Sequence, residues 1–332
     1  MIRFAASAVL MMATIAMTLS SRQVSAQALT QASNFPTRPV HVIVPWPPGG
    51  VIDTAARIIG QKLGEELGQQ IVIENRPGAS GTLGAGAVAK SESDGYTLLL
   101  TSGDLVTMPS LLPPTTFDAN KDLAPIAMVG SAPPMLIAGV SAPFNNMKEL
   151  VAAAKAKPGS ISYGTPGIGT INHIAAEWAF NAADIKLTMV SYRGTAQMVN
   201  GVAAGDVPLG IATPSSTISL IEAKKIKPIA LTSKRRPSFL PASWPTVAES
   251  GYDVDALLWI GVFAPVGTPA PIIERVASGL AVATKDKGVR EHLNTTGIEA
   301  ETMGQPEFGE YIKTDTARYA DILKRTGIKI SR

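Results

Sequence analysis

Short apolar runs alternate along this chain with segments whose apolar residues recur at helical spacing, the pattern of α/β units with largely parallel strands. The spacing predicts strands over 40–45, 71–74 and 97–101, with helices over 51–67 and 82–90 between them. On the first helix Ile52, Ala55, Ala56, Ile59, Leu63 and Leu67 share a face. Asp53 and Arg57, four residues apart, are expected to pair on its surface. A second series predicts strands over 134–140, 161–164, 187–191, 207–212 and 226–231, with helices over 148–156, 168–180 and 196–204. This series reads as a sheet of its own. Residues 234–255 are proline-rich and aperiodic, a long connection. A strand over 259–263, a helix from Pro271 and a last helix over 306–325 fit back onto the first sheet.

The strand ends carry the unusual chemistry. Pro45-Trp46-Pro47-Pro48-Gly49-Gly50 follows the first strand, and Asn75-Arg76-Pro77-Gly78-Ala79-Ser80-Gly81 the second. Gly164-Thr165-Pro166-Gly167-Ile168-Gly169-Thr170 follows a strand of the second series, and Thr101-Ser102-Gly103 ends a fourth. Ligands of open α/β sheets bind outside the carboxyl ends of strands. Glycine lets the backbone approach a ligand, and the helix that follows offers free N–H groups and the positive end of its dipole. Such turns bind an anion without a cationic side chain. Each dipole supplies only about 0.3–1 kcal/mol, so several must converge.

Which anion is narrowed by what is missing. No Gly-Lys-Ser/Thr follows the glycines, which argues against a phosphate loop. Gly167-Ile168-Gly169 lacks the third glycine of a dinucleotide fingerprint. Ser80 lies outside any G-x-S-x-G elbow, and no histidine is placed by sequence to activate Ser102. Carboxylates remain the best small anions for these turns, and no catalytic residue is expected.

The first 26 to 28 residues change the setting. Arg3, an apolar stretch over 4–19 and small residues at Val24-Ser25-Ala26 or Ala26-Gln27-Ala28 have the layout of a secretory signal peptide, too short to span a bilayer. Removing it takes away Arg3 and Arg22 and lowers the net charge from +3 to +1, which leaves no basic face for nucleic acid. Cysteine is absent and the histidines are His41, His173 and His292, so thiolate chemistry and Cys/His zinc sites are not expected. With 45% hydrophobic residues the core is easily filled.

Several side chains carry more than one reading. His173 falls on the first turn of a helix and is either a buried helix-face residue or a ligand contact. Arg193, in Tyr192-Arg193-Gly194, either grips a carboxylate or braces a loop. Asp206 holds a loop, contacts a ligand hydroxyl or amine, or helps the lobes close. Trp46 and Trp259 are core or pocket wall, with Trp46, in the turn itself, favouring the wall. Asp53 is expected to satisfy backbone N–H groups at its helix start.

Taken in order, "RPVHVIVPWPPGGVIDTAAR", "VIENRPGASGTLGAGAVAKSESDGYTLLL", "ISYGTPGIGTINH", "VSYRGTAQMVNGVAAGDV", "WPTVAESG" and "WIGVFAPVGTP" resemble the Bug family, the extracytoplasmic solute-binding proteins of tripartite tricarboxylate transporters. The resemblance runs from Phe35 to the C-terminus. It implies an α/β, two-lobe type II periplasmic binding protein (Venus-flytrap) fold, with lobe one over 35–130 plus 257–332 and lobe two over 131–256. It implies a monomeric periplasmic protein without cofactor or metal. The ligand would be a small organic acid (a di- or tricarboxylate, an acidic amino acid or an aromatic carboxylate) passed to integral membrane permease subunits. The implied ligand residues are Trp46, Pro47, Pro48, Gly49, Gly50, Gly78, Ala79, Ser80, Thr101, Ser102, Thr165, Pro166, Gly167, Gly169, Thr170, His173, Tyr192, Arg193, Gly194 and Asp206. Presentation to a receptor kinase, or turnover of a small acid, are the competing roles. Trp46 stands where relatives often have a smaller residue, which hints at a flat aromatic ligand.

Overall fold

The computed structural model describes residues 34–105 and 117–327, so the expected signal segment lies outside the described residues. The chain lays down β1 (Val40–Val44), α1 (Val51–Leu67), β2 (Ile71–Asn75), α2 (Thr82–Ala89), β3 (Thr97–Ser102), α3 (Ala119–Asp122) and β4 (Leu123–Ala132). It continues with β5 (Met135–Gly139), α4 (Met147–Ala156), β6 (Ser162–Thr165), α5 (Ile171–Ala182), β7 (Thr188–Ser191), α6 (Thr195–Ala204), β8 (Leu209–Ala212), α7 (Ile218–Glu222) and β9 (Ile226–Leu231). It returns through β10 (Leu258–Pro265), α8 (Ala270–Lys285), α9 (Lys287–Thr295), β11 (Glu299–Met303) and α10 (Gln305–Thr326).

The strands form two sheets, ordered β11-β4-β10-β3-β1-β2 and β7-β6-β8-β5-β9. The two repeat one arrangement. In each, three strands joined by helices run parallel. An antiparallel strand then separates them from a further strand, β4 or β9, and in the first sheet β11 adds an edge beyond β4. That antiparallel strand, β10 in the first sheet and β5 in the second, follows directly on a passage of the chain from the other sheet.

The two passages lie side by side and are tied by Thr232. Its N–H donates to Pro134 O at 2.8 Å, and its hydroxyl lies 3.0 Å from Pro134 O and 3.1 Å from Ala256 O. Ala256 N–H donates back to Thr232 O at 2.9 Å.

Each sheet has its own core. Val42, Ile59, Leu63, Val262 and Leu280 belong to the first, and Leu136, Tyr163, Phe180 and Leu209 to the second. Helix α5 serves both: Ile171 and Ile174 pack into the first core, Ala175, Ala179 and Phe180 into the second.

Where the elements depart from the sequence pattern, the reasons are local. Strand β1 stops at Val44, because Pro45 has no N–H for the ladder. Helix α5 begins at Ile171 instead of residue 168: Gly169 has φ +79°, which no right-handed helix admits, and Thr170 caps the helix. Strand β4 contains Pro125 and Gly130 and pairs through register shifts, so its alternation is blurred. Strand β11 is a polar edge strand with no buried residue. Asp53 is 4% exposed, so its pair with Arg57 is not a surface pair.

Candidate functional site

The carboxyl ends of β1, β3, β6 and β7 open onto one cavity of about 100 Å³ between the two sheets. Residues 46–48 and 50–52, Ser102 and Asp104 come from the first sheet's side, and Pro166, Thr170, Asn172 and residues 193–197 from the second's. Leu258, at the start of β10, lies between them.

The first wall is a helix start left open. Gly50 caps α1 with φ −83° and ψ 170°, and no side chain accepts from the first turn. The loop before it is held from behind. Asp53 Oδ2 accepts the Gly49 N–H at 2.9 Å, and Asn75 Nδ2 donates to Trp46 O and to Asp53 Oδ1, each at 3.0 Å. Arg57 closes the cluster 2.8 Å from Asp53 Oδ1. Burial acts to raise the Asp53 pKa, but the hydrogen bonds from Arg57, Gly49 and Asn75 outweigh it and hold the carboxyl below its usual range. Asp53 therefore stays ionised and holds the turn from behind.

The opposite wall repeats the device. Gly194 caps α6 at φ +112°, again with no side-chain cap. A Cβ on Gly194 would lie 3.7 Å from Pro47 Cγ, so the two loops meet across the cavity. Arg193 is exposed and is the one cationic side chain of the lining among the described residues.

The third helix start, that of α5, is already occupied. Thr170 Oγ1 accepts the His173 N–H at 3.3 Å. Asp104 Oδ1, from the first sheet's side, accepts the Ile171 N–H at 2.5 Å, and Ser102 Oγ donates to Asp104 Oδ2 at 2.5 Å. Burial pushes the Asp104 carboxyl up, against those two hydrogen bonds.

His173 is 3% exposed and does not line the cavity. Its Nδ1 accepts the Gly169 N–H at 3.1 Å, which fixes the turn before α5. Burial lowers its pKa to about 4, so the ring is neutral at pH 7. The sign follows. A folded pKa below the unfolded value near 6.5 makes the unfolded state bind more protons, so stability is lost as pH falls from about 6.5 towards 4. Between pH 7 and pH 5 the loss is about 2 kcal/mol. Thermal melts at the two pH values should show that loss in the native chain and a flatter profile in His173→Asn; equal profiles would contradict the assignment.

Of the residues singled out in the sequence, Trp46, Pro47, Pro48, Gly50, Ser102, Pro166, Thr170, Arg193 and Gly194 line the cavity. Gly49, Gly167 and Gly169 shape its turns without lining it. Residues 78–81 stand at the rim: Gly78, Ala79, Ser80 and Gly81 all have positive φ, and Ser80 Oγ donates weakly to Ile168 O at 3.5 Å, across from the other sheet. Thr101 is buried in the ladder opposite Gly261, and Thr165 is buried with its hydroxyl on Gly167 O at 3.4 Å.

Two placements correct the sequence reading. Tyr192 turns away from the cavity and packs beneath α6, between Gly164 and Gly201. Asp206 follows the C-cap of α6, which puts it about 15 Å along the helix from the cavity end. Trp259 is fully buried with Nε1 on Asp315 Oδ2 at 2.8 Å, a core residue and not a wall. Trp46 is half-buried on the wall, and its Nε1 is buried without a partner. Sequence reasoning missed Asp104 and Asn172. Asp104 stands two residues beyond the strand-end Ser102 that had been noted; Asn172 sits in the helix start beside Thr170.

Two sheets with matching strand order, joined by paired crossings and facing each other across an anion-ready cavity, define a two-lobe binding protein of the type II periplasmic class. The family model of the tripartite tricarboxylate transporter family receptor (TctC) matches residues 55–328, and the chain belongs to that family. The family is one of periplasmic solute-binding proteins. BugT of Bordetella pertussis is 32% identical over 306 residues, which cover 91% of this chain and 94% of BugT. The solved periplasmic binding protein BugD is 32% identical with a TM-score of 0.83, over 89% of this chain and 99% of BugD. An R. palustris protein solved with adipate is 30% identical with a TM-score of 0.85, over 89% of this chain and 99% of that one.

Proposed function

We propose that this chain is an exported solute-binding protein that captures a small organic carboxylate between its lobes and delivers it, unchanged, to a tripartite-tricarboxylate-type permease. The observation that carries the reading is the pair of uncapped helix starts at Gly50 and Gly194, one from each sheet, on the walls of one cavity. A carboxylate there accepts N–H bonds from both lobes. A ligand drives closure only through contacts made in the closed state, and this geometry supplies them. Arg193 at the mouth adds attraction, and the solved relative with adipate supports an organic acid as ligand.

The lobes would turn about the crossings tied by Thr232, lobe one over 35–130 plus 257–332 and lobe two over 131–256. The one hydroxyl–carboxylate pair among the described lining residues, Ser102 with Asp104, is buried and also holds the Ile171 N–H, and no histidine stands beside it, which favours capture over turnover.

A calorimetric and thermal screen of residues 27–332 against aliphatic and aromatic mono-, di- and tricarboxylates tests the reading. At 100 times Kd a ligand adds about 2.7 kcal/mol of stability, a rise of about 4 °C in Tm for a chain of this length. A bound acid recovered unchanged supports capture. Product formation, or no response to any carboxylate, overturns it.

A further inference from the structure

Three helix starts reach the cavity, and the protein has filled one of them with its own carboxylate. Asp104 lines the cavity, is 4% exposed, and is the one acidic side chain of the lining among the described residues. Both its oxygens accept hydrogen bonds, Oδ1 from the Ile171 N–H at the start of α5 and Oδ2 from the Ser102 hydroxyl. A backbone N–H at a helix start can only donate, so it favours the ionised carboxylate against the burial that pushes this group up. One residue beyond Ile171, Asn172 lines the same side, and its Oδ1 is buried without a hydrogen-bond partner. The α5 side of the cavity thus carries the acceptor oxygens of Asp104 and Asn172, opposite the open helix starts of α1 and α6.

We propose that Asp104 sets a charge rule on the ligand: the cavity takes organic acids with a single carboxylate, whose far end is neutral or donates a hydrogen bond, and rejects a second carboxylate. This rests on the carboxylate-binding reading above. The ligand's one carboxylate sits on the open starts of α1 and α6. Its other end faces Asp104 and Asn172, where a hydroxyl or amine is welcome and an anion is not. Two carboxylates about 5 Å apart, at an effective dielectric of about 20, disfavour each other by a factor on the order of 100. A dicarboxylate long enough to fill the cavity places its second charge against that field. The rule separates this chain's ligand from adipate, the dicarboxylate in the solved relative.

The test is titration calorimetry of residues 27–332 at pH 7.5 with matched acids: hexanoate, 6-hydroxyhexanoate and adipate, and benzoate with terephthalate. In the wild type the monocarboxylate of a matched set should bind at least about tenfold tighter than its dicarboxylate, with 6-hydroxyhexanoate at or above hexanoate. In Asp104→Asn, which keeps the shape and an oxygen for the Ile171 N–H, the ratio should move at least about tenfold towards the dicarboxylate. A wild type that prefers adipate or terephthalate overturns the rule on its own, whether or not the variant folds. An unchanged ratio in folded Asp104→Asn also overturns it. If no acid of any class binds, the carboxylate reading itself has failed and the rule goes with it, an outcome distinct from binding with the wrong preference.

Discussion

Gly50→Val is expected to weaken carboxylate binding by about 100-fold or more while moving Tm by no more than about 2 °C. Gly50 lies at φ −83° and ψ 170°, extended backbone that valine adopts readily. A Cβ there meets only Pro47 O at 3.8 Å, so the fold bears little cost. The new side chain stands at the start of α1, over the N–H groups offered to the ligand. A hydrogen bond to a charged group contributes about 1.5–3 kcal/mol, and losing two accounts for the fall. Gly49→Ala is the control. Gly49 has φ +83°, no atom within 4 Å of a Cβ, and no part in the cavity lining. Its substitution should strain the turn by about 1 kcal/mol and keep the ligand. Equal binding by Gly50→Val and the native chain would remove α1 from the site.

Trp259→Ala should cost about 4–5 kcal/mol, a fall of about 7 °C in Tm, with ligand affinity kept well below the transition. Trp259 is fully buried on β10, against Phe263, Phe308 and Tyr311 of the first lobe. Its Nε1 donates to Asp315 Oδ2, whose other oxygen is held by Arg318 Nη2 at 2.5 Å. Arg318 in turn donates to Asp255 O at 3.1 Å, beside the second crossing between lobes. Alanine would leave a large hole and a buried carboxylate short of a donor. Trp259→Phe, which keeps much of the ring, should lose about half as much. A loss below about 1.5 kcal/mol in Trp259→Ala would place the ring in a far looser setting. Loss of ligand binding without loss of stability would return Trp259 to the wall.

The sequence made the helical and strand series legible because their apolar periods are clean: 51–67 and 196–204 emerge as α1 and α6 with bounds within a residue. The turns at residues 46–50 and 165–170 were legible for the same reason, since glycine and proline there interrupt a strand just before a helix. Strand β4 was hidden by Pro125, Gly130 and its register shifts, and β11 by the absence of any buried side chain.

Within the site, side-chain direction was out of reach. Tyr192 and Gly194 are two residues apart, yet the ring of Tyr192 lies under α6 while Gly194 faces the cavity. Asp206 is near Arg193 in the motif but a helix length away in space. Of the two readings of His173, its burial and the Gly169 N–H on its Nδ1 favour the helix-face residue, a choice that spacing after a glycine turn does not make. Asp104 was invisible because its importance depends on Ile171, 67 residues away on the other sheet's helix.

The central claim is that one carboxylate is held jointly by the starts of α1 and α6. A crystal structure of residues 27–332 with the tightest-binding acid from the calorimetric screen tests it most directly. The account predicts carboxylate oxygens about 2.7–3.2 Å from N–H groups at the starts of both helices, one at the Gly50 end of α1 and one in the first turn of α6 after Gly194. A carboxylate bound by one lobe alone, or seated on the α5 side against Asp104, would contradict it.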